Sequence, residues 1–305
     1  MGILTPITEF INTDDLASFL PMTISAATYK GELYQLPIYF ETLLFMYNRA
    51  LMSDERVPNT TEELYTFMIS GAGGRYGYIE QHSTAYYSAG WIHGFGGTII
   101  SDNGTPLLNT PQTIAALEYH LKFVNRMPGE SEYATVNTLF REGRAASTIG
   151  GPWLVPTVRQ SGVDLGFAQM PIVDQTGLPL APYSGVQGLH VLKVAADNPV
   201  KNAQIREVLN LMLNPNIGVA IALASGSAPA LAACYDFDEV KNDEIVTMMR
   251  ETAESAIPMP NIPEMDIMWN VVGNLLVDIN MRGRNPTEAA QDAQRRAEDL
   301  IRAMR

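Results

Sequence analysis

Glu41 and Trp153 stand where the surrounding sequence would bring them to the end of a strand. An alternating run around Pro37 reads as a strand over residues 33–39, and Glu41 is the first charged group beyond it, next to Tyr39 and Phe40. A carboxylate among aromatic rings suits hydroxyl recognition, since each of its oxygens accepts from an O–H donor. A solvated surface carboxylate is the alternative. Trp153 closes the stretch Leu139 to Trp153, LFREGRAASTIGGPW. Leu139 and Phe140 end a helical segment, and Gly143 stands where a left-handed cap is wanted. Ala145 to Ile149 is small and apolar, like a strand covered on both faces. Gly150-Gly151-Pro152 then stops that strand and delivers Trp153 to its C-terminal edge, where open α/β sheets bind ligands. A core plug is the other reading of that indole. Tyr86, Tyr87 and Trp91 recur near helical spacing; for Tyr86, contact to a ligand and core packing are both open.

Several chemistries are excluded. His82, His93, His120 and His190 show no zinc spacing such as H-E-x-x-H, and no metal site is expected. A G-x-S-x-G elbow is absent. The glycine-rich turn at 71–78 lacks the Gly-Lys-Ser/Thr of a phosphate loop, so no nucleotide cofactor is expected. Cys234 is the single cysteine, in the apolar context LAACYDF, and reads as a buried inert thiol. The net charge of −13 argues against nucleic acid, whose phosphates need a basic surface. No apolar run approaches the about 18 residues of a membrane span.

Strands alternate with helices along the 305 residues, which indicates α/β layers. Residues 3–28 read as helix and loop, and Leu44 to Asn48 as a second strand. Asn59-Thr60-Thr61-Glu62-Glu63 opens a helix, with a cap followed by acids. Thr110-Pro111 opens another, with Ile114, Leu117, Leu121 and Val124 on one face and His120 at the surface or rim. Strands follow at 166–170 and from His190 to Val194. Next comes a helix with an Ile205, Val208, Leu209, Met212 and Leu213 stripe, then helices over 215–224 and 243–253. Three prolines keep Ile257 to Pro263 from being helical throughout. Trp269 lies in the first turns of a long helix ending near Met281. Asn285-Pro286-Thr287-Glu288 caps the last helix, whose small-to-apolar face is Ala289, Ala293, Ala297, Leu300, Ile301 and Met304.

Three stretches, in order, resemble the bacterial extracellular solute-binding proteins of ABC importers, family 1, of the maltose-binding type. They are Tyr29 to Ile38 with Leu44 to Arg49, the F-x-x-G-x-A-A…G-x-W stretch at 140–153, and Ile257 to Met265 with Trp269. The resemblance implies a two-lobed periplasmic-binding-protein (type II) α/β fold with a ligand cleft between the lobes. It divides the chain into 1–40 with 188–240 and 44–183 with 245–305, with crossings near 40–46, 183–188 and 238–245. It implies an oligosaccharide-binding component that delivers sugar to membrane permease subunits of an ABC importer and is not an enzyme. Its setting would be the periplasm or, as a lipoprotein, the cell surface. Glu41, Trp153 and Trp269 would contact sugar, together with Tyr86, Tyr39 and the backbone at Gly185. A glycoside hydrolase-type enzyme and a sugar-sensing binding domain are the alternatives.

Two features depart from the family pattern. Maltose-type members commonly carry Arg one turn after the tryptophan matching Trp269, where this chain has Gly273. Maltose itself is therefore no better supported than another oligosaccharide. The chain also runs from Met1-Gly2 straight into ILTPITEFI, without a signal segment or the family's leading strands. The first lobe is accordingly expected to be incomplete, with an exposed sheet edge open to self-association.

Overall fold

The computed structural model describes residues 2–304. The chain forms two units, Met1–Thr42 with Ser184–Ala253 and Leu43–Tyr183 with Glu254–Arg305.

The second unit is built on a four-stranded sheet in the order Tyr76–Ile79, Ala145–Gly150, Leu44–Asn48, Leu165–Ala168. The first pair is parallel and the other two are antiparallel. Every residue of Leu44–Asn48 and Ala145–Gly150 is buried, which explains why these strands read as unbroken apolar or small runs. Helix ends follow their cap signals. The Thr60 hydroxyl accepts from Glu63 N, and Thr110 from Thr113 N ahead of Pro111. Asn285 accepts from Glu288 N ahead of Pro286.

Burial revises two helix faces. In Pro111–Val124 the buried side chains include Leu117, Tyr119, His120, Phe123 and Val124, while Ile114 and Leu121 are only partly covered. His120 is therefore a core residue, 1% exposed, and has no surface or rim position. In Pro286–Met304 the inner face holds Ala289, Ala290, Ala293, Gln294, Ala297 and Ile301, whereas Leu300 and Met304 face outward. Gln294 replaces apolar packing with hydrogen bonds: it accepts from Leu108 N and donates to Pro106 O.

The first unit carries a sheet in the order Leu4–Thr5, Tyr183–Leu192, Gln35–Thr42, Ala228–Pro229, with all pairs along it antiparallel. Leu4–Thr5 is a strand inside the region expected to be helix and loop, because it pairs with Leu192 and Val191. The strand expected over His190 to Val194 ends at Leu192, and Lys193–Ala196 is helical. Helix Pro199–Met212 buries only Leu209; of its stripe Val208 is exposed, while Ile205, Met212 and Leu213 are partly covered. Cys234 is buried, as its context indicates; burial pushes its thiol up to about 11. Among the described residues no single helix is long and apolar enough to cross a membrane.

Candidate functional site

Trp153 owes its position to the two glycines before it. Gly143, at φ 66°, ends helix Tyr133–Arg141, and its N–H donates to Phe140 O. The Ala145–Gly150 strand then runs buried between its neighbours until Gly150, the partner of Leu44. Gly151 is extended, and Pro152 starts a one-turn helix, Pro152–Leu154, that turns Trp153 outward while Leu154 stays buried. The indole folds back over the Gly151 backbone so closely that a Cβ there would lie 2.2 Å from the ring. Glycine is thus required at 151 for space, since its φ of −91° suits any residue. Gly151→Ala is expected to push the indole off this seat with little loss of stability. A sugar titration should show affinity falling with an unchanged melting temperature; unchanged affinity would mean the ring's seat is unimportant.

Trp153 is 39% exposed, so it is not a core plug. Its indole lies beside the Tyr87 hydroxyl, which also neighbours Gln81. Burial, with Tyr133 nearby, pushes the Tyr87 phenol up to about 12, keeping it neutral and able to donate. Tyr87 meets Tyr86 edge to face at 5.8 Å. Tyr86 lies 6.5 Å from Trp269, which is met edge-on by Tyr183 at 5.8 Å. Trp269 sits half-buried in the second turn of Glu264–Asn280, whose Met265, Met268 and Val272 anchor it in the core. Trp153, Tyr86 and Trp269, taken from three separate stretches, are therefore joined through Tyr87 on one unit. Such rings present apolar faces with a few polar tips, the mixture that sugar C–H faces and hydroxyls need.

Glu41, Tyr39 and Gly185 belong to the other unit. The strand Gln35–Thr42 continues past its expected end, so Glu41 lies inside the ladder, opposite Gly185. Tyr39 stands opposite Gln187 and on the same face as Glu41. Burial raises the Glu41 carboxyl above its usual range, and a hydrogen bond from Gln187 partly offsets this. A desolvated acceptor held by one amide retains capacity for further O–H donors. A Cβ at Gly185 would meet no atom within 4 Å, so the space in front of its backbone is open.

Sequence spacing set Tyr86 beside Tyr87 and Trp91 and singled out Tyr86 as the ligand contact, but gave no role to Tyr133 or Tyr183. Tyr87 was visible as half of a tyrosine doublet opening a helix. Exposed Tyr133, at the start of its helix, carried no signal beyond being aromatic.

Residues 1–248 match the family described as "Bacterial extracellular solute-binding protein". The maltotriose-binding protein of Pyrococcus abyssi is 31% identical over 285 residues, covering 91% of this chain and 62% of the relative. The chain thus spans under two thirds of that relative's length. The galactooligosaccharide-binding protein of Bacillus subtilis is 24% identical over 308 residues, covering 96% and 72%. Among solved structures, the maltose/maltodextrin-binding domain from Bdellovibrio bacteriovorus bound to maltotriose superposes with a TM-score of 0.85 at 26% identity, covering 99% of this chain and 81% of that one. That likeness gives the fold class as the α/β, type II periplasmic-binding fold expected from sequence. With the family matched over residues 1–248, the chain belongs to the bacterial extracellular solute-binding proteins.

Proposed function

We propose that this chain is the carbohydrate-binding component of an ABC import system, handing an oligosaccharide to membrane permease subunits outside the cytoplasm. The observation that carries the reading is the half-exposed Trp153 indole, seated on Gly151 and set beside Tyr87, with Tyr86 and Trp269 on the same unit. On the first unit Glu41, flanked by Tyr39 and the open backbone at Gly185, supplies an acceptor for sugar hydroxyls. Relatives named for maltotriose and for galactooligosaccharide support an oligosaccharide ligand and leave its linkage open. The protein binds without chemistry, and the buried Glu80–His120 pair, with side chains 0% and 2% exposed, is closed to solvent. As in its relatives described as solute-binding lipoproteins, attachment at the cell surface or a place in the periplasm fits this role.

A thermal-shift panel of maltotriose, maltotetraose and galacto-oligosaccharides tests the reading, because a ligand bound only by the folded state raises the melting temperature. No shift with any sugar, or release of shorter saccharides on incubation, would overturn it. Glu41→Gln is expected to weaken the best sugar by about 1.5–3 kcal/mol, the range for hydrogen bonds to charged groups. Calorimetric titration reads that loss, and unfolding of the variant would instead indicate a structural carboxylate.

The chain is further proposed to self-associate through its first unit. Leu4–Thr5 is the last strand on its side of the sheet, and Ile3, Leu192, Val194 and Val200 around it are exposed. Such an edge templates pairing with another chain, and a lysine placed on it blocks that pairing. Sedimentation should give a mass that rises with concentration and reverts to the monomer in Ile3→Lys, which places the charge beside the edge strand. A parent that is monomeric throughout would sink the idea.

A further inference from the structure

Strand Gln35–Thr42 changes its facing partway along, and that change decides what stands beside Glu41. Its pairing steps from Pro37 opposite Gly188 to Tyr39 opposite Gln187, so Ile38 is one residue extra, a bulge. Gly188 makes room for it: a Cβ there would lie 2.1 Å from Leu36 O. An inserted residue turns every later side chain to the other face. Without it, Ile38 would stand opposite Gln187, and Phe40 opposite Gly185. With it, Phe40 is buried, 1% exposed, and Tyr39 and Glu41 share a face with Gln187 and Gly185.

This face is polar and partly open. Gln187 is exposed and Tyr39 and Glu41 are half-buried, whereas Phe40, Thr42 and Ser184 on the reverse are buried. Glu41 stands opposite Gly185 and Gln187 opposite Tyr39, which makes Gln187 the diagonal neighbour of Glu41. Diagonal positions lie about 7–8 Å apart, within reach of long side chains. At Gly185 no side chain stands between them, and a Cβ would meet no atom within 4 Å. Its φ lies outside the left-handed region, so neither backbone nor packing asks for glycine there, in contrast to Gly188. What the glycine provides is an unobstructed diagonal from the Gln187 amide to the Glu41 carboxylate.

We propose that Gln187 is a further sugar-contacting residue, supplying the hydrogen-bond donor that Glu41 lacks. The inference rests on the sugar reading above. An ionised carboxylate only accepts, whereas a primary amide carries two donors and one acceptor. One sugar hydroxyl donates its O–H to Glu41, and the adjacent hydroxyl of the same ring accepts from the Gln187 amide. The pair thereby selects a neutral saccharide unit with two free neighbouring hydroxyls, which Glu41 alone does not.

Calorimetric titration with maltotetraose tests the contact. Gln187→Leu keeps the bulk and removes the amide, and should weaken binding about five- to tenfold, the contribution of an ordinary hydrogen bond. Its melting temperature should match the parent's, because the side chain is exposed. Gln187→Glu keeps the size but offers no donor and adds a like charge beside Glu41, so it should lose at least as much. In a Glu41→Ala background Gln187→Leu should still weaken binding. No further loss there would make Gln187 a mere support of Glu41 and overturn the proposal. Binding equal to the parent's in both Gln187 variants would also overturn it and leave the sugar reading intact. A parent that binds no saccharide would remove the sugar reading, and this contact with it. Melting temperatures lowered in both variants would mark Gln187 as structural, which again overturns the proposal.

Discussion

Trp153→Ala is expected to lower affinity for the preferred oligosaccharide by at least about 2 kcal/mol, the threshold for an anchoring aromatic, or roughly 30-fold. The loss has two parts. The indole offers a flat apolar face that is 39% exposed before any ligand arrives, and stacked aromatic contact contributes about 0.5–1.5 kcal/mol beyond area burial. Its indole also lies beside the Tyr87 hydroxyl, so truncation removes a polar neighbour of that phenol as well. Stability should change by less than about 1 kcal/mol, since Leu154 and Val155 beneath it remain buried. Trp91→Ala is the matched contrast. That ring is 2% exposed, packs on Tyr119, His120 and Phe123, and donates to Glu80, so its removal should cost about 3–5 kcal/mol of stability. Calorimetric titration and urea unfolding of both variants separate the two roles. Equal affinity in Trp153→Ala and the parent would remove Trp153 from the sugar surface.

What the sequence made legible was what local chemistry determines. Gly143, Gly150, Gly151 and Pro152 punctuate the chain strongly enough to place the strand before Trp153 and the turn under it. The capped helix starts at Thr60, Thr110 and Asn285 were readable for the same reason: a side-chain oxygen three residues before an amide acts locally. The family could be recognised because its motifs combine such punctuation with aromatics at fixed spacing. Faces decided by tertiary packing were not legible. In Pro111–Val124 the apolar residues Ile114 and Leu121 suggested one inner face, but large partly polar rings, Tyr119 and His120, occupy the core because partners exist there for their polar atoms. Those partners, Thr61 and Glu80, lie 58 and 40 residues away. No periodicity window spans such distances. The end of the Glu41 strand was missed similarly, since its last residues are strand only because Gly185 and Ser184 pair with them.

The same hidden pairing gives the second large effect. His120→Ala is expected to destabilise the second unit by about 3–5 kcal/mol at neutral pH, the cost of leaving the buried Glu80 carboxylate without its partner. Its ring and the Tyr78 hydroxyl are the two shortest contacts to the Glu80 carboxylate, both at 2.5 Å, and nothing from solvent can replace the ring, since the His120 and Glu80 side chains are 2% and 0% exposed. His120→Gln keeps an N–H donor in reach and should lose less. Acid provides a further check. Burial pushes His82 and His93 below the ordinary histidine value of 6.5, so they are neutral when folded and take up protons on unfolding. The stability they contribute is complete above pH 6.5 and is lost as pH falls towards their folded values. Glu80, held below the ordinary 4.5, contributes stability that is complete above that value and lost on further acidification. The parent should therefore be flat above neutrality, decline below pH 6.5 and decline faster below 4.5. In His120→Ala the carboxylate has lost the ring that favoured its charged form, so its folded value rises and it protonates earlier. A protonated Glu80 no longer needs that donor, and the deficit relative to the parent should narrow as pH falls. Urea unfolding of both proteins from pH 7 to pH 4 reads this directly. A deficit that is constant across that range would assign the loss to the cavity left under Trp91 and not to the stranded charge.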